Sequence, residues 1–199
     1  MKRNLSILLA SLLVAAVAFA PIALAGPVGT MELNAGYKKN SQEIVPGGDS
    51  MGGGLGFGAS YWRGTSPSVS WGGEVSFDNL GSAEYNDNTV NNNYKTSGSV
   101  FRVNPAVRYT FGPGIGTSFY AQGGAGLYAV SGKTVGTVAG FATNSDESQS
   151  KIGFNFGAGV NFPVAPTTKM NVGLMYHTVS TEGQSTNYVN FRAGIGFNL

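Results

Sequence analysis

Residues Ile152–Phe162 read IGFNFGAGVNF, a segment in which every second side chain is apolar. The positions between them hold Gly and Asn, so the segment has one apolar face and one small, polar face. Because side chains on a β-strand point alternately to opposite faces, this period of two predicts a strand lying between two different environments. The last twelve residues, Tyr188–Leu199 (YVNFRAGIGFNL), repeat the pattern.

The same alternation occurs eight times along the chain, and no charged residue falls on the apolar positions. The complementary positions carry Glu, Arg, Lys and Asn together with many Gly residues. This arrangement predicts eight strands, each with a charge-free face. The eight apolar rows run over Met31–Tyr37, Leu55–Tyr61, Val69–Phe77, Phe101–Phe111, Phe119–Leu127, Ile152–Phe162, Met170–Tyr176 and Val189–Leu199.

The connections between the rows alternate in length. Three are long (38–51, 79–97 and 131–149), and an intermediate one covers 178–186. Three are short, at 64–68, 112–117 and 163–167. Long loops at one end and tight turns at the other are typical of an up-and-down outer-membrane barrel. An even number of strands then places both termini at the turn end.

The N-terminus has the features of an export signal. Lys2 and Arg3 precede an apolar stretch over Leu8–Ala20, and Ala23-Leu24-Ala25 follows. A basic start, an apolar centre and a small-x-small site predict a signal peptide over residues 1–25, with the barrel domain over 26–199. No later segment approaches the ~18 consecutive apolar residues that a membrane-spanning helix needs.

The composition excludes several classes of function. Only 11% of the residues are charged, compared with about 25% in soluble domains. Without Lys2 and Arg3 the chain has ten basic and ten acidic residues, which argues against a nucleic-acid partner. The chain has no Cys and one His, so disulfides, thiolate metal sites and multi-His zinc sites are excluded. We therefore expect no cofactor and no metal.

Alternation alone does not distinguish a membrane barrel from a soluble, lipocalin-like one. The polar face is mostly Gly, Ser and Asn rather than the dense Lys and Glu of a water-exposed surface. Aromatic residues also cluster near both ends of the apolar rows, as two membrane interfaces require. The predicted turn-side girdle holds Tyr61, Trp71, Tyr109, Phe111, Phe119, Phe162 and Phe197, and the loop-side girdle holds Tyr37, Phe77, Phe101, Phe154, Tyr176 and Tyr188.

These features predict an all-β fold, an eight-stranded antiparallel transmembrane β-barrel with its charge-free rows facing outer-membrane lipid. The sequence resembles the small outer-membrane barrels of the outer membrane protein A, outer membrane protein X and opacity-protein type. The resemblance covers the whole predicted mature chain. It is carried by Val69–Asn79 (VSWGGEVSFDN), Ser118–Ala129 (SFYAQGGAGLYA), Ile152–Phe162 and Tyr188–Leu199.

The resemblance implies that the barrel-assembly machinery recognises the last strand. Phe197 and Leu199 form the expected assembly signal, although this family usually ends in Phe. Pro105 lies within the fourth strand and cannot donate a ladder hydrogen bond. We expect a bulge or a local gap there.

The polar rows supply the candidate site residues. Glu32 and Glu74 are expected to pair inside the lumen with Arg102, Arg108, Lys169 or Arg192, filling a barrel too narrow to be a pore. The alternative is a narrow conduit, because the many lumen Gly residues could leave voids.

His177 is expected to be a rim residue of the polar network. Lipid A deacylases are also eight-stranded barrels and use a His-x-Ser pair. Here Ser180 lies three residues from His177 and therefore on the opposite face. We predict no catalytic residue.

The expected function is a structural, surface-display scaffold, with a possible surface ligand bound through loops 38–51, 79–97 and 131–149. Two alternatives remain at this point: a small passive channel for apolar or anionic solutes, and a lipid A-modifying enzyme.

Overall fold

The computed structural model describes residues 29–40, 52–87, 92–112, 116–138, 141–181 and 184–199. The predicted signal peptide, 1–25, lies outside the described residues. In the described part of the chain, no helix is long and apolar enough to cross a membrane. The strands are β1 (Thr30–Asn40), β2 (Gly53–Gly64), β3 (Val69–Asp87), β4 (Asn92–Phe111), β5 (Ser118–Val138), β6 (Phe141–Ala165), β7 (Thr168–Thr181) and β8 (Gln184–Asn198).

The eight strands form a closed antiparallel barrel in chain order, which confirms the predicted meander. The last strand closes the ring against the first, with pairs running from Thr30↔Asn198 to Asn40↔Tyr188. Both ends of the described chain therefore lie at the end of the barrel that carries the short turns. One of these turns is tied by Ser66, whose Oγ accepts a hydrogen bond from the backbone N–H of Val69 at 3.0 Å.

The charge-free rows point outward. Leu55 and Phe57 are 74% and 67% exposed, whereas Glu32 and Asn104 on the complementary rows are fully buried. The outer surface is thus apolar and the interior polar, the reverse of a soluble barrel. Rings stack along the turn side from Tyr109 to Phe111 and on to Phe119, with centroids 6.2 and 5.9 Å apart.

The predicted loops 79–97 and 131–149 were wrong in extent. β3 and β4 continue to Asp87 and from Asn92, and β5 and β6 continue to Val138 and from Phe141. The period-two signal weakens there because polar residues predominate on both faces of these extensions. The backbone ladder continues nevertheless, up to Asp87↔Asn92 and Val138↔Phe141. Of the predicted loop 38–51, the described part, 38–40, belongs to β1.

Three irregularities interrupt the ladders of the described residues, and one of them is the register shift between Pro163 and Ala165 at the turn-side end of β6. The β3–β4 register shifts between Asn79 and Gly81, where Gly81 has a φ of +88° and its N–H donates to Oδ1 of Asn79 at 2.8 Å. The β4–β5 pairing omits Asn104 and Pro105. The register is the same on both sides of this gap, at Val103↔Leu127 and at Ala106↔Gly124. Pro105 therefore produces a gap and not a bulge.

The outward orientation of the charge-free rows gives a direct test at Val172, which is 50% exposed near the middle of β7. Val172→Arg should lower the free energy of unfolding in phosphatidylcholine vesicles by about 2–4 kcal/mol, because a cation would face hydrocarbon. The measurement is urea unfolding followed by tryptophan fluorescence.

The matched control is Ser180→Arg, further along the same face of β7 and beyond the apolar row. Its cost should be about 0–1 kcal/mol, as near a membrane interface. Equal losses for the two variants would contradict the assignment of lipid and polar regions.

Candidate functional site

The turn-side end of the interior is organised around Glu32. Arg108 donates from Nη1 and Nη2 to its two carboxylate oxygens at 2.7 and 2.8 Å, a bidentate pair. The indole Nε1–H of Trp62 donates to the same carboxylate at 3.0 Å, and Nζ of Lys169 lies 3.4 Å away. The pleat places all these side chains inside the barrel, on rows from β1, β2, β4 and β7.

The guanidinium of Arg108 is held on both faces by aromatic rings. Its Cζ lies 3.9 Å from the ring centroid of Trp62 and 4.4 Å from that of Tyr120. A planar, delocalised cation stacks on such rings while its edge donates to a carboxylate. Trp62 and Tyr120 thus hold Arg108 across the lumen.

The middle of the interior is organised around Glu74. Nη2 of Arg102 donates to Oε1 at 2.6 Å, and Nη1 of Arg192 donates to Oε2 at 3.1 Å. Gln122 joins this group to the turn-side group, since its Oε1 accepts from Nη2 of Arg192 at 2.8 Å and from Nη2 of Arg108 at 3.0 Å.

The loop-side end holds a third carboxylate, Asp78, which is not among the predicted lumen residues. Asp78 is fully buried, pairs with Nζ of Lys38 at 3.1 Å and accepts from the hydroxyl of Tyr188 at 3.0 Å. Lys38 therefore lies in the lumen rather than in the predicted loop. Tyr188 is a lumen residue and not part of the loop-side girdle. The period of two could have found Asp78 and Lys38, because each continues the inward row of its strand.

Above Asp78 the lumen is filled by apolar side chains. Leu80, Val100, Tyr128, Val179 and Tyr188 form a buried cluster. Eight-stranded barrels are just wide enough for side chains to fill.

His177 lies buried beneath the apolar cluster. Its ring stacks on Tyr188 with centroids 4.5 Å apart, and its Nδ1 lies 3.2 Å from the hydroxyl of Tyr128. Ser180 is exposed on the outer face, so the structure does not bring His177 and Ser180 together. Within the described ranges, no group of three His, Cys, Asp or Glu side chains could hold a metal ion.

The lumen glycines do not leave the voids that the conduit alternative requires. A methyl group added at Gly173 or Gly159 would collide with the side chain of Tyr120, and one added at Gly153 would meet the ring of Tyr128 at 2.7 Å. These glycines make room for large side chains from other strands. Charged, amide and aromatic side chains therefore cross the lumen at successive levels.

The predicted assembly residues lie at the turn-side rim. Phe197 pairs in register with Met31 of β1 and Thr168 of β7. The backbone N–H of Leu199 donates to the carbonyl of Gly29 at 2.9 Å. Their recognition by the assembly machinery stays a prediction.

At the opposite end, β3–β6 form a four-stranded sheet that extends beyond the described parts of β1, β2, β7 and β8. Residues 141–150 of β6 pair with β5, but on their other side they have no strand partner among the described residues, because the pairing with β7 starts at Gly153↔Val179. On one face of this sheet Tyr85 stacks on Tyr94 with centroids 5.2 Å apart.

The match to a family model covers residues 6–198 and is to the outer membrane protein beta-barrel domain. The chain belongs to this family. It is a protein of the Gram-negative outer membrane, and the lipid-facing rows and aromatic girdles described above are its membrane surface. No curated protein matches the sequence.

Solved structures show the same fold. The chain is similar to Neisserial surface protein A, with a TM-score of 0.60 and 15% identity over 86% of this chain and 97% of that one. It is similar to a major outer membrane protein from Thermus thermophilus, with a TM-score of 0.57 and 12% identity over 85% and 98% of the chains. The N-terminal barrel of Pseudomonas aeruginosa OprF gives 0.51 and 18% over 85% and 97%.

The first prediction for the interior concerns Glu74. Glu74→Gln should lower the free energy of unfolding by about 3–5 kcal/mol, because the buried guanidinium groups of Arg102 and Arg192 lose their shared counter-charge. The check is urea unfolding in vesicles. The matched control is Glu84→Gln, which removes an exposed pair with Lys95 and should leave the midpoint unchanged. A Glu74 variant as stable as the control would contradict the role given to this carboxylate.

The second prediction concerns packing against Tyr120. Gly173→Ala should cost about 1–3 kcal/mol through overpacking, and the double variant Gly173→Ala/Tyr120→Phe should regain most of that loss because the colliding hydroxyl is removed. A double-mutant cycle of unfolding free energies measures the coupling. Gly132→Ala is the control, since a methyl group there meets nothing within 4 Å. Additive effects of the two substitutions would refute the contact.

Proposed function

We propose that this protein is a non-enzymatic scaffold of the outer membrane that presents the four-stranded sheet of β3–β6 to an extracellular partner. The observation that carries the proposal is the unequal height of the barrel wall. β3–β6 continue far beyond the last pairs of β1, β2, β7 and β8, although the bilayer does not require the extra length.

The interior supports a scaffold over a conduit. Glu32, Glu74 and Asp78 are tied to cations from several strands, and an apolar cluster fills the loop-side end above them. Ion pairs and stacked rings that join strands across the lumen stiffen the wall on which the sheet is mounted. The burial of His177 away from Ser180 supports a non-enzymatic role.

The sheet itself has surfaces suited to recognition. The β6 edge over 141–150 presents backbone donors and acceptors that another extended chain could use. The outer face carries the exposed pair of Glu84 and Lys95, and the hydrogen bond from that ammonium group holds the pKa of the Glu84 carboxyl below its usual range. Charged and polar groups are thus exposed at the end of the barrel that faces away from the cell.

The test is a shortened variant in which residues 83–96 and 134–145 are each replaced by Asn-Gly, a favoured two-residue hairpin turn. Ser82↔Ser97 and Lys133↔Asp146 then become the last pairs of the two hairpins. Adhesion of cells bearing either form is measured on immobilised serum proteins, extracellular-matrix proteins and a glycan array.

We expect the native form to confer adhesion to at least one of these surfaces and the shortened form to lose it. Both forms should fold to the same barrel, because the ion pairs of Glu32, Glu74 and Asp78 are kept and Ala83 is the one residue of the apolar cluster's surroundings that is removed. Equal adhesion of the two forms, or no adhesion by either, would overturn the proposal. Stepwise conductance of the native form in planar bilayers would favour the channel instead.

A further inference from the structure

A groove of about 400 Å³ lies on the outer surface of β3–β6, directly beyond the apolar rows. Its lower edge is Phe77, which is 39% exposed and belongs to the loop-side girdle. The groove therefore starts where the hydrocarbon-facing surface ends. The groove opens outward, away from the barrel axis, and lies between the apolar rows and the tips of the β3–β4 and β5–β6 hairpins.

The groove arises from small polar side chains that the register aligns across four strands. Large apolar side chains are absent from these two rows, which leaves the concavity above Phe77. The first row is Asn79, Ser99, Ser131 and Ser148, and the next row holds Ser82, Ser97, Lys133 and Asp146.

The side chains that line the groove combine hydroxyl groups with the ammonium group of Lys133 and the carboxylates of Asp146 and Glu147. Ser131 donates to the hydroxyl of Ser148 at 3.2 Å, and each hydroxyl oxygen keeps a further acceptor site. Lys133 is exposed, and none of the ion pairs formed by the described residues includes it, although Asp146 faces it in register. Such a surface can bind a phosphate at the ammonium group and sugar hydroxyls at the serines and Asp146.

We propose that this groove binds the phosphorylated sugar headgroup of an outer-leaflet glycolipid. The ammonium group of Lys133 contacts the phosphate, and the hydroxyls of Ser99 and Ser131 bind the sugar. The first acyl methylenes of the same molecule lie against the ring of Phe77.

The position of the groove favours a lipid over a water-soluble ligand. The groove is continuous with the lipid-facing surface through Phe77 and Phe101, which pair in register one row below the serines. A membrane-anchored headgroup reaches the groove without leaving the leaflet. The single Lys beside Asp146 favours a headgroup rich in hydroxyls over a bare phosphodiester, which would offer Asp146 only like charge.

The test uses the full chain in phosphatidylcholine nanodiscs containing a small mole fraction of either diphosphoryl lipid A or phosphatidylglycerol. Retained lipid is measured by native mass spectrometry as a function of lipid fraction. The variants are Lys133→Gln and Ser131→Ile, both on the outer face, where the lumen network is not disturbed. Lys95→Gln is the matched control, since Lys95 lies higher on the same face and outside the groove. A further arm adds soluble glucosamine 1-phosphate.

The native chain should retain lipid A in preference to phosphatidylglycerol. Lys133→Gln should weaken lipid A binding about tenfold, the equivalent of one charge-assisted contact, and Ser131→Ile should abolish the preference by filling the groove. Lys95→Gln should behave as the native chain. Equal retention of the two lipids by the native chain, unchanged binding by both groove variants, or comparable binding of the soluble sugar phosphate would overturn the proposal.

The shortened variant separates this inference from the proposed function. It keeps both polar rows and the groove, so it should retain the preference for lipid A even where adhesion is lost. Loss of adhesion with intact lipid binding supports both proposals, whereas loss of lipid A preference in the shortened variant would overturn the groove.

Discussion

Hydrocarbon offers no hydrogen-bond partner to a peptide group, and the rest of this structure depends on that constraint. A sheet that crosses a bilayer must pair every strand on both sides, so its first and last strands must meet. Here β8 pairs with β1 along the whole of β1, from Thr30↔Asn198 to Asn40↔Tyr188. Once the ring is closed, the pleat directs one set of side chains toward lipid. The other set points into a lumen narrow enough for side chains to fill.

The charged interior follows from that narrow ring. Charges on the outside would face hydrocarbon, so Glu, Arg and Lys collect inside, where each charge needs a partner. Glu32 and Glu74 each form ion pairs with two cations. Arg108 also contacts the rings of Trp62 and Tyr120. Glycines such as Gly153, Gly159 and Gly173 on the same rows have a packing role, because large side chains from other strands occupy the space that a Cβ atom would need.

Beyond the bilayer the constraint on the backbone is relaxed. Water can satisfy an unpaired strand edge, so β6 can continue over 141–150, where the described part of β7 does not pair with it. The sheet of β3–β6 is therefore free to serve recognition rather than insertion. The base of this sheet, where Phe77 is followed by Asn79 and the serines, lies at the boundary between the lipid-facing and the water-exposed surface. The lipid-binding groove is proposed at this boundary.

Sequence alone determined the strand number, the closed meander, the outward rows and the inward position of Glu32, Glu74 and the cations that pair with them. It could do so because a period of two is visible wherever the two faces of a strand meet different environments. The same alternation continues through Asp78 and Lys38, whereas the predicted loops begin close to the point at which the apolar residues end. Sequence could not reveal the height of β3–β6, because water bathes both faces there and only the ladder between strands defines them.

Only the tertiary structure decided how the charges pair. Arg102 and Arg108 lie on the same inward row of β4, and Arg192 lies on the inward row of β8. The depth of each residue and the reach of its side chain across the lumen determine which carboxylate it meets. The same holds for Gly173 and Tyr120, which come from different strands. The side chain of Tyr120 occupies the space beside Gly173, and the alternation within either strand does not reveal this contact. Periodicity encodes which side of the wall a residue occupies, whereas depth and partner are properties of the closed ring.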